Sequence, residues 1–214
     1  MNAALAAAAL GLAALSAPWQ ARAVARETGT PPPGPRVTAG YAAASALIAT
    51  ALAVAVPAAV FPAGVLLGVG GVPLSIIDTR SHRLPNRLTG LTLLAVLVAL
   101  GAAAGLIGSP GQLVAAVAGA GAMAAFYGLL LTVSAVFGSA AAYGLGDVKL
   151  ALPVGAVLGW LGVLPWLAGL LGAHLLYVAV FGGRAMVGRT GWRSRHAYGP
   201  CMLAATLAAA ILFG

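Results

Sequence analysis

Residues 88–107 read LTGLTLLAVLVALGAAAGLI, a stretch of 20 residues without a single charge. About 20 consecutive apolar residues are what a helix needs to cross the hydrocarbon core of a bilayer. The whole chain has the same character, since 62% of its 214 residues are hydrophobic and only 7% are charged. A soluble domain carries about 25% charged residues, so this composition excludes a water-soluble globular fold. The same hydrophobicity excludes disorder.

Seven further apolar stretches of similar length predict an all-α, polytopic helical membrane protein with about eight transmembrane helices. The eight ranges are 2–19, 40–58, 62–79, 88–107, 112–136, 148–163, 164–182 and 198–213. The long apolar run 148–182 is divided at Gly162-Val163-Leu164-Pro165 because proline disfavours continuation of a helix. Three small-residue spacings, at Gly64 and Gly68, at Gly101 and Gly105, and at Gly155 and Gly159, predict close helix packing.

The N-terminal region is predicted to form a unit of its own. The first stretch lacks a basic region before it, so we interpret it as a retained helix rather than a signal peptide. Residues 27–36, with four prolines, indicate an extended linker without a fixed fold. We therefore divide the chain into an N-terminal helix plus cytoplasmic linker, 1–39, and a membrane-embedded domain, 40–214.

The eleven basic residues are confined to alternate connections between the predicted helices. They fall around 20–39, 80–87 and 183–197, with Lys149 just after the connection 137–147. The positive-inside rule places these connections in the cytoplasm and both termini outside. The formal net charge of +8 is thus explained by orientation in a lipid bilayer, and we expect no nucleic-acid partner.

The three acidic residues are more informative than the basic ones. Glu27 lies in the predicted linker, whereas Asp78 ends the third stretch and Asp147 opens the sixth. Two helices separate the aspartates, so both return to the same side of the membrane and are expected to meet. A structural explanation also exists for each one. Asp147 could cap its helix, and Asp78 could pair with Arg80 or Arg83.

Two facing aspartates suit a definite chemistry. At short separation they cannot both ionise easily and share one proton. The ionised carboxylate can then take a proton from water while the protonated one donates to a carbonyl oxygen or a leaving nitrogen. Such a pair would hydrolyse a peptide bond without metal or cofactor. The three histidines are scattered and Cys201 is alone, so no metal site is predicted.

Three motifs resemble those of the bacterial type IV prepilin peptidases. Residues 78–89 read DTRSHRLPNRLT, similar to the family's first aspartate motif, in which Pro-Asn or Pro-Asp follows the aspartate seven residues on. Residues 144–150 read GLGDVKL, similar to the family's G-x-G-D-x-K. Tyr198-Gly199-Pro200 resembles its C-terminal aromatic-Gly-Pro. The resemblance covers about 62–213.

The resemblance implies a membrane aspartic endopeptidase of the bacterial plasma membrane. Such an enzyme cuts the leader from prepilins or pseudopilins at the cytoplasmic face, just before the substrate's membrane helix. Asp78 and Asp147 would be the catalytic pair. Gly144 and Gly146 would keep the loop clear of side chains so that substrate backbone can approach. Lys149 would either hold charge near Asp147 or extend to the interface.

This chain departs from the long family members because its N-terminal region has no cysteine pairs for a zinc-binding domain. We therefore predict cleavage without methyl transfer. Two alternatives stay open. A presenilin-like intramembrane protease shares G-x-G-D, although Ile77 rather than tyrosine precedes Asp78 and no Pro-Ala-Leu motif follows. A proton-coupled transporter would use His174, which falls near the middle of the seventh stretch.

Overall fold

The computed structural model describes residues 3–136, 143–183, 187 and 197–214, and over these residues the chain is helical. Much of the basic connection 183–197 therefore lies outside the described residues. In chain order the helices are α1 (Ala3–Thr28), α2 (Pro35–Ala55), α3 (Phe61–Ser81), α4 (Asn86–Ile107), α5 (Pro110–Val136), α6 (Leu145–Leu161), α7 (Val163–Tyr177) and α8 (Gly199–Phe213). Helix α7 continues as a π-helical turn, Val178–Gly182.

Within the described ranges, five helices are long and apolar enough to cross a membrane. They are α2, α3, α4, α5 and the combined segment Val163–Gly182, and the shorter α8 is also apolar. The prediction of an all-α polytopic membrane protein is therefore confirmed. The split between the sixth and seventh stretches is also confirmed, since α6 ends at Leu161 and α7 begins at Val163.

The predicted linker 27–36 is wrong at both ends. Helix α1 runs on through Glu27 to Thr28, because no residue before Gly29, with its left-handed φ of +66°, breaks the helix. At the other end Pro35 already opens α2, where its fixed φ suits a first helical position. Only residues 29–34 connect the two helices.

Helix α1 packs against α2 and α3 rather than standing apart. Gln20 of α1 is completely buried, and its side-chain amide donates to the hydroxyl of Ser45 in α2 at 3.0 Å. A second hydrogen bond, at 2.8 Å, goes to Ser16 of its own helix. The division of the chain at residue 39 stays a prediction, and across it the two helices share a buried polar contact.

Close helix packing is present at two of the three predicted glycine spacings. A Cβ added at Gly119 of α5 would lie 2.6 Å from the carbonyl oxygen of Gly155, so the backbones of α5 and α6 meet directly. Gly68 of α3 similarly packs closely against Ile48 of α2, since an added Cβ would lie 2.6 Å from Cγ2 of that isoleucine. The prediction is wrong for Gly101 and Gly105 of α4, which have no neighbour within 4 Å of an added Cβ.

Four helix ends meet at one end of the bundle. They are the C-terminus of α3 and the N-termini of α4, α6 and α8, which are joined by hydrogen bonds and side-chain contacts described below. Helix α3 ends at Ser81, and the left-handed φ of 50° at His82 turns the chain into the short connection 82–85. Pro85 then precedes the first residue of α4. This junction holds both aspartates.

Candidate active site

Asp78 lies in the last turn of α3 and is only 6% exposed. Its Oδ2 accepts a hydrogen bond of 2.9 Å from the backbone N–H of Gly199. Gly199 is the first residue of α8, and the first amides of a helix have no partner within it. Arg80 and Arg83 are exposed, and in the described part of the chain neither forms an ion pair with Asp78. The carboxylate is therefore held by backbone rather than by a cation.

Asp147 lies in the first turn of α6 and is 8% exposed. Its Oδ2 accepts a hydrogen bond of 2.9 Å from the backbone N–H of Gly144, the residue that caps the helix. Helix capping thus explains the position of one of the two carboxylate oxygens of Asp147. It does not account for the second oxygen, nor for the position of this carboxylate beside another one.

The two carboxylates lie at the same junction, because Gly199, which binds Asp78, approaches Leu150, three residues after Asp147 in α6. Burial raises the pKa of Asp147, and the charge of Asp78 raises it further. The two side chains are anchored in the same way, each through Oδ2 to a single glycine N–H. Among the described residues, the Oδ1 atoms of Asp78 and Asp147 receive no hydrogen bond. Each aspartate therefore has one fixed oxygen and one oxygen able to bind a water molecule or a protonated group.

Gly199 is the site residue that sequence reasoning did not single out. A Cβ at this position would lie 2.9 Å from Oδ2 of Asp78 and 3.5 Å from Cδ2 of Leu150. Only glycine therefore fits here without a shift of the carboxylate. The signal was present in the aromatic-Gly-Pro motif, but hydropathy does not show that its amide faces Asp78.

The two glycines of the second motif have different surroundings. A Cβ at Gly146 would lie 3.0 Å from Cβ of Leu84 in the connection between α3 and α4. At Gly144 the nearest atoms would be 3.8 Å away, an ordinary contact. Gly146 thus allows the start of α6 to approach the segment that follows Asp78. Residues 137–142, which precede this motif, lie outside the described residues.

Lys149 forms its hydrogen bond with α4, and its two predicted roles, holding charge near Asp147 or extending to the interface, stay predictions. Its ammonium donates to Oδ1 of Asn86, the first residue of α4, at 2.6 Å. Residues two apart in a helix point in nearly opposite directions, so Lys149 faces away from Asp147 and toward α4.

An aromatic cluster includes Tyr143, the residue before the glycine that binds Asp147. Its members are Phe126, Tyr127, Tyr143, His174, Tyr177 and Tyr198, whose ring centres lie 5.3–6.1 Å from their neighbours'. The hydroxyls of Tyr127 and Tyr198 are 2.9 Å apart. Burial, the neighbouring Tyr177 and the charge of Asp147 all raise the pKa of Tyr143, so its phenol stays protonated at neutral pH and can serve as a donor.

His174 belongs to this cluster rather than to a chain of polar groups across the membrane. Its Nδ1 lies 2.8 Å from the carbonyl oxygen of Leu170 in its own helix, which makes Nδ1 the donor. Its Nε2 is buried, with no hydrogen-bond partner among the described residues. Its ring stacks on Tyr127 with 13° between the planes.

Comparison with known proteins identifies one family. Residues 65–213 match the family described as the type IV leader peptidase family. The matched range contains both aspartates, Gly199 and the whole of α4 to α8. No curated protein and no solved structure gives a significant match.

Proposed function

The chain belongs to the type IV leader peptidase family, and from this premise we propose that it is an aspartic endopeptidase that cleaves prepilins or pseudopilins. In this proposal it is a multi-pass protein of the bacterial plasma membrane, and its active site faces the cytoplasm. It removes the leader just before the substrate's membrane helix and has no methyltransferase activity. Asp78 and Asp147 are the catalytic residues.

One observation carries the proposal. The chain has only three acidic residues, and two of them lie buried at one junction of four helix ends. Carboxylates in a membrane protein are costly and are retained mainly for function. Each is fixed by a glycine amide that leaves one oxygen available.

This arrangement supports a general acid–base mechanism with one proton shared by the pair. The ionised aspartate removes a proton from water as the water oxygen attacks the scissile carbonyl carbon. The protonated aspartate donates its proton to the carbonyl oxygen, which gives a neutral gem-diol. The first aspartate then donates the proton it took to the leaving nitrogen while the second recovers its own, so the C–N bond breaks and the pair returns to its starting state.

The experiment is co-expression of the enzyme with a prepilin and measurement of leader removal. Asp78→Asn and Asp147→Asn should each abolish cleavage while membrane insertion is unchanged, because an amide can neither take nor supply the proton. Glu27→Gln, which neutralises the exposed third acid, is the matched control and should cleave normally. Processing by either asparagine variant would refute the pair. A cut inside the substrate's apolar helix would instead favour the presenilin-like alternative.

We propose that the substrate's helix docks beside Asp78. An apolar cavity of about 250 Å³ is formed between α2, α3 and α8. Along α3 its lining runs from Gly64 to Ser75, a distance of about 16 Å at 1.5 Å per residue. Ser75 is one turn from Asp78, and Pro200, also in the lining, follows the glycine that binds Asp78. The cavity is too small for a whole helix, so the substrate helix would lie across its mouth with a few side chains inside and would present its end to the carboxylates.

Filling the groove tests this placement. Ala204 of α8 lines the groove and is exposed, so Ala204→Trp adds bulk there without overpacking the core. We expect a higher KM for a prepilin with little change in kcat. Ala208, one turn further along the same helix, is exposed and outside the lining, so Ala208→Trp should leave KM unchanged. Equal changes in KM for the two variants would mean that the substrate helix does not bind at this groove.

A further inference from the structure

Lys149 is the only lysine among the eleven basic residues of the chain. It is half-buried, and its ammonium donates to Oδ1 of Asn86 at 2.6 Å. A lysine ammonium is a compact point charge on a flexible stem, whereas arginine presents a wide planar fork. The single short hydrogen bond to the amide oxygen of Asn86 therefore suits a lysine better than an arginine.

The two partners follow the two aspartates in the sequence, Lys149 by two residues and Asn86 by eight. Lys149 follows Asp147 by two residues in the first turns of α6. Asn86 opens α4, separated from the end of α3, and so from Asp78, only by the connection 82–85. The Lys149–Asn86 bond therefore joins the segment that carries one carboxylate to the segment that carries the other.

A second contact lies along the same seam. Leu84 packs against Gly146, where an added Cβ would be 3.0 Å from the leucine Cβ. That contact limits how closely the two segments can approach, but it does not keep them from separating. The hydrogen bond is directional, and because its donor is charged it is stronger than a neutral one. The two contacts together oppose both approach and separation of the segments.

Resting on the proposed function, we infer that Lys149 is a positioning residue that acts through Asn86. It holds the start of α6 against the start of α4 and thereby sets the separation of Asp78 and Asp147. It does not act as a counter-ion, since it faces away from Asp147 and bonds an uncharged amide. Asparagine and aspartate at position 86 are equivalent for this purpose, because each offers an oxygen to the ammonium.

The test is an exchange of the two residues. Lys149→Asn and Asn86→Lys each break the bond, and each should lower kcat by about tenfold to a hundredfold, the loss expected when reacting groups are displaced by up to an ångström, with KM unchanged. The double variant restores a lysine–asparagine bond in the reverse direction and should regain most of the lost kcat. Asn86→Asp should retain activity. Arg87→Met, which removes an exposed cation next to Asn86, is the control and should behave as the unaltered chain.

A measurement that does not need cleavage separates this inference from the proposed function. Spin labels on Gly90→Cys and Leu145→Cys, in a Cys201→Ala background, report the separation of α4 and α6 through dipolar broadening. Lys149→Asn should reduce the broadening and the exchanged pair should restore it. Unchanged broadening and kcat in Lys149→Asn, or an exchanged pair no better than the single variants, would overturn the inference. If the unaltered chain fails to cut a prepilin while the broadening responds as expected, the proposed function fails and the positioning contact stands.

Discussion

Replacing Gly199 with alanine would place a methyl group against the carboxylate of Asp78. The added Cβ would lie 2.9 Å from Oδ2 and 3.5 Å from the carboxyl carbon, with Leu150 also at 3.5 Å. An ordinary contact between these atoms requires them to separate by roughly 0.5 Å. The hydrogen bond from Gly199 to Asp78, now 2.9 Å, would lengthen beyond the usual range of about 2.7–3.2 Å.

The expected consequence is a catalytic loss out of proportion to the size of the change. A hydrogen bond to a charged group contributes about 1.5–3 kcal/mol when intact, and each 1.36 kcal/mol of transition-state stabilisation is tenfold in rate. Because only part of the bond is lost, we expect kcat to fall about tenfold. KM should change little, since the groove residues are untouched.

The assay is cleavage of a purified prepilin in detergent, with kcat, KM and the unfolding temperature measured for each variant. Gly144→Ala is the informative comparison, because Gly144 also donates its N–H to one of the two proposed catalytic aspartates, Asp147, but an added Cβ would meet nothing closer than 3.8 Å. The fall in kcat of the Gly144→Ala variant should be much smaller than that of the Gly199→Ala variant. Gly101→Ala, with no neighbour within 4 Å, controls for the removal of a helical glycine. Equal kcat values for the Gly199 and Gly144 variants would refute the steric argument.

Two further predictions concern stability. Gly146→Ala should lower the free energy of unfolding by about 1–3 kcal/mol, the usual cost of overpacking, because its Cβ would press on Cβ of Leu84. In a Leu84→Gly background, which lacks that Cβ, the same change should cost less. A Gly146→Ala protein with an unaltered unfolding temperature would contradict the contact. Gln20→Ala removes the bond to Ser45 and should lower the free energy of unfolding by about 0.6 kcal/mol and at most about 1.7, as for other polar contacts between membrane helices. Denaturant unfolding in micelles measures this change. No loss at all would mean that this contact does not hold α1 to α2.

The helices were predictable because a bilayer sets their length. The range 88–107 corresponds to α4 at Asn86–Ile107, and 62–79 corresponds to α3 at Phe61–Ser81. The predicted helix boundaries were wrong where the apolar stretch ends before the helix does. Helix α1 extends beyond its apolar part to Thr28, since helix formation there depends on caps and packing rather than hydropathy. Gly101 and Gly105 match a packing motif, but nothing in the sequence indicates which face of α4 meets a neighbour.

The site was predictable only in part, and for a topological reason. An even number of helices between Asp78 and Asp147 returns them to one side of the membrane whatever the lateral arrangement. The partners of these side chains depend on that arrangement. The amide of Gly199 reaches Asp78 because α8 packs on α3, and Lys149 reaches Asn86 because α6 packs on α4. Lateral order in a bundle is encoded in side-chain fit, which periodicity alone does not reveal.

The proposed chemistry and the proposed substrate groove draw on different parts of the chain. The family match begins at residue 65 and includes both aspartates, whereas Ile48 and Leu52, which wall the groove, belong to α2 outside the match. Changes in α2 should therefore alter which substrate helix is bound without altering catalysis. Ile48→Ala would remove apolar contact area beside Gly68 and should raise KM for a prepilin with an unchanged kcat, since no reacting group moves.

The neighbouring residue provides the control for this last prediction. Leu47 is 71% exposed and does not line the groove, so Leu47→Ala should leave KM as it is. A prepilin whose helix carries a larger side chain opposite the new space should regain affinity for the Ile48→Ala enzyme but not for the Leu47→Ala enzyme. A fall in kcat at constant KM in the Ile48 variant would show instead that α2 acts on the carboxylates, and substrate recognition would then have to be sought on another face of the bundle.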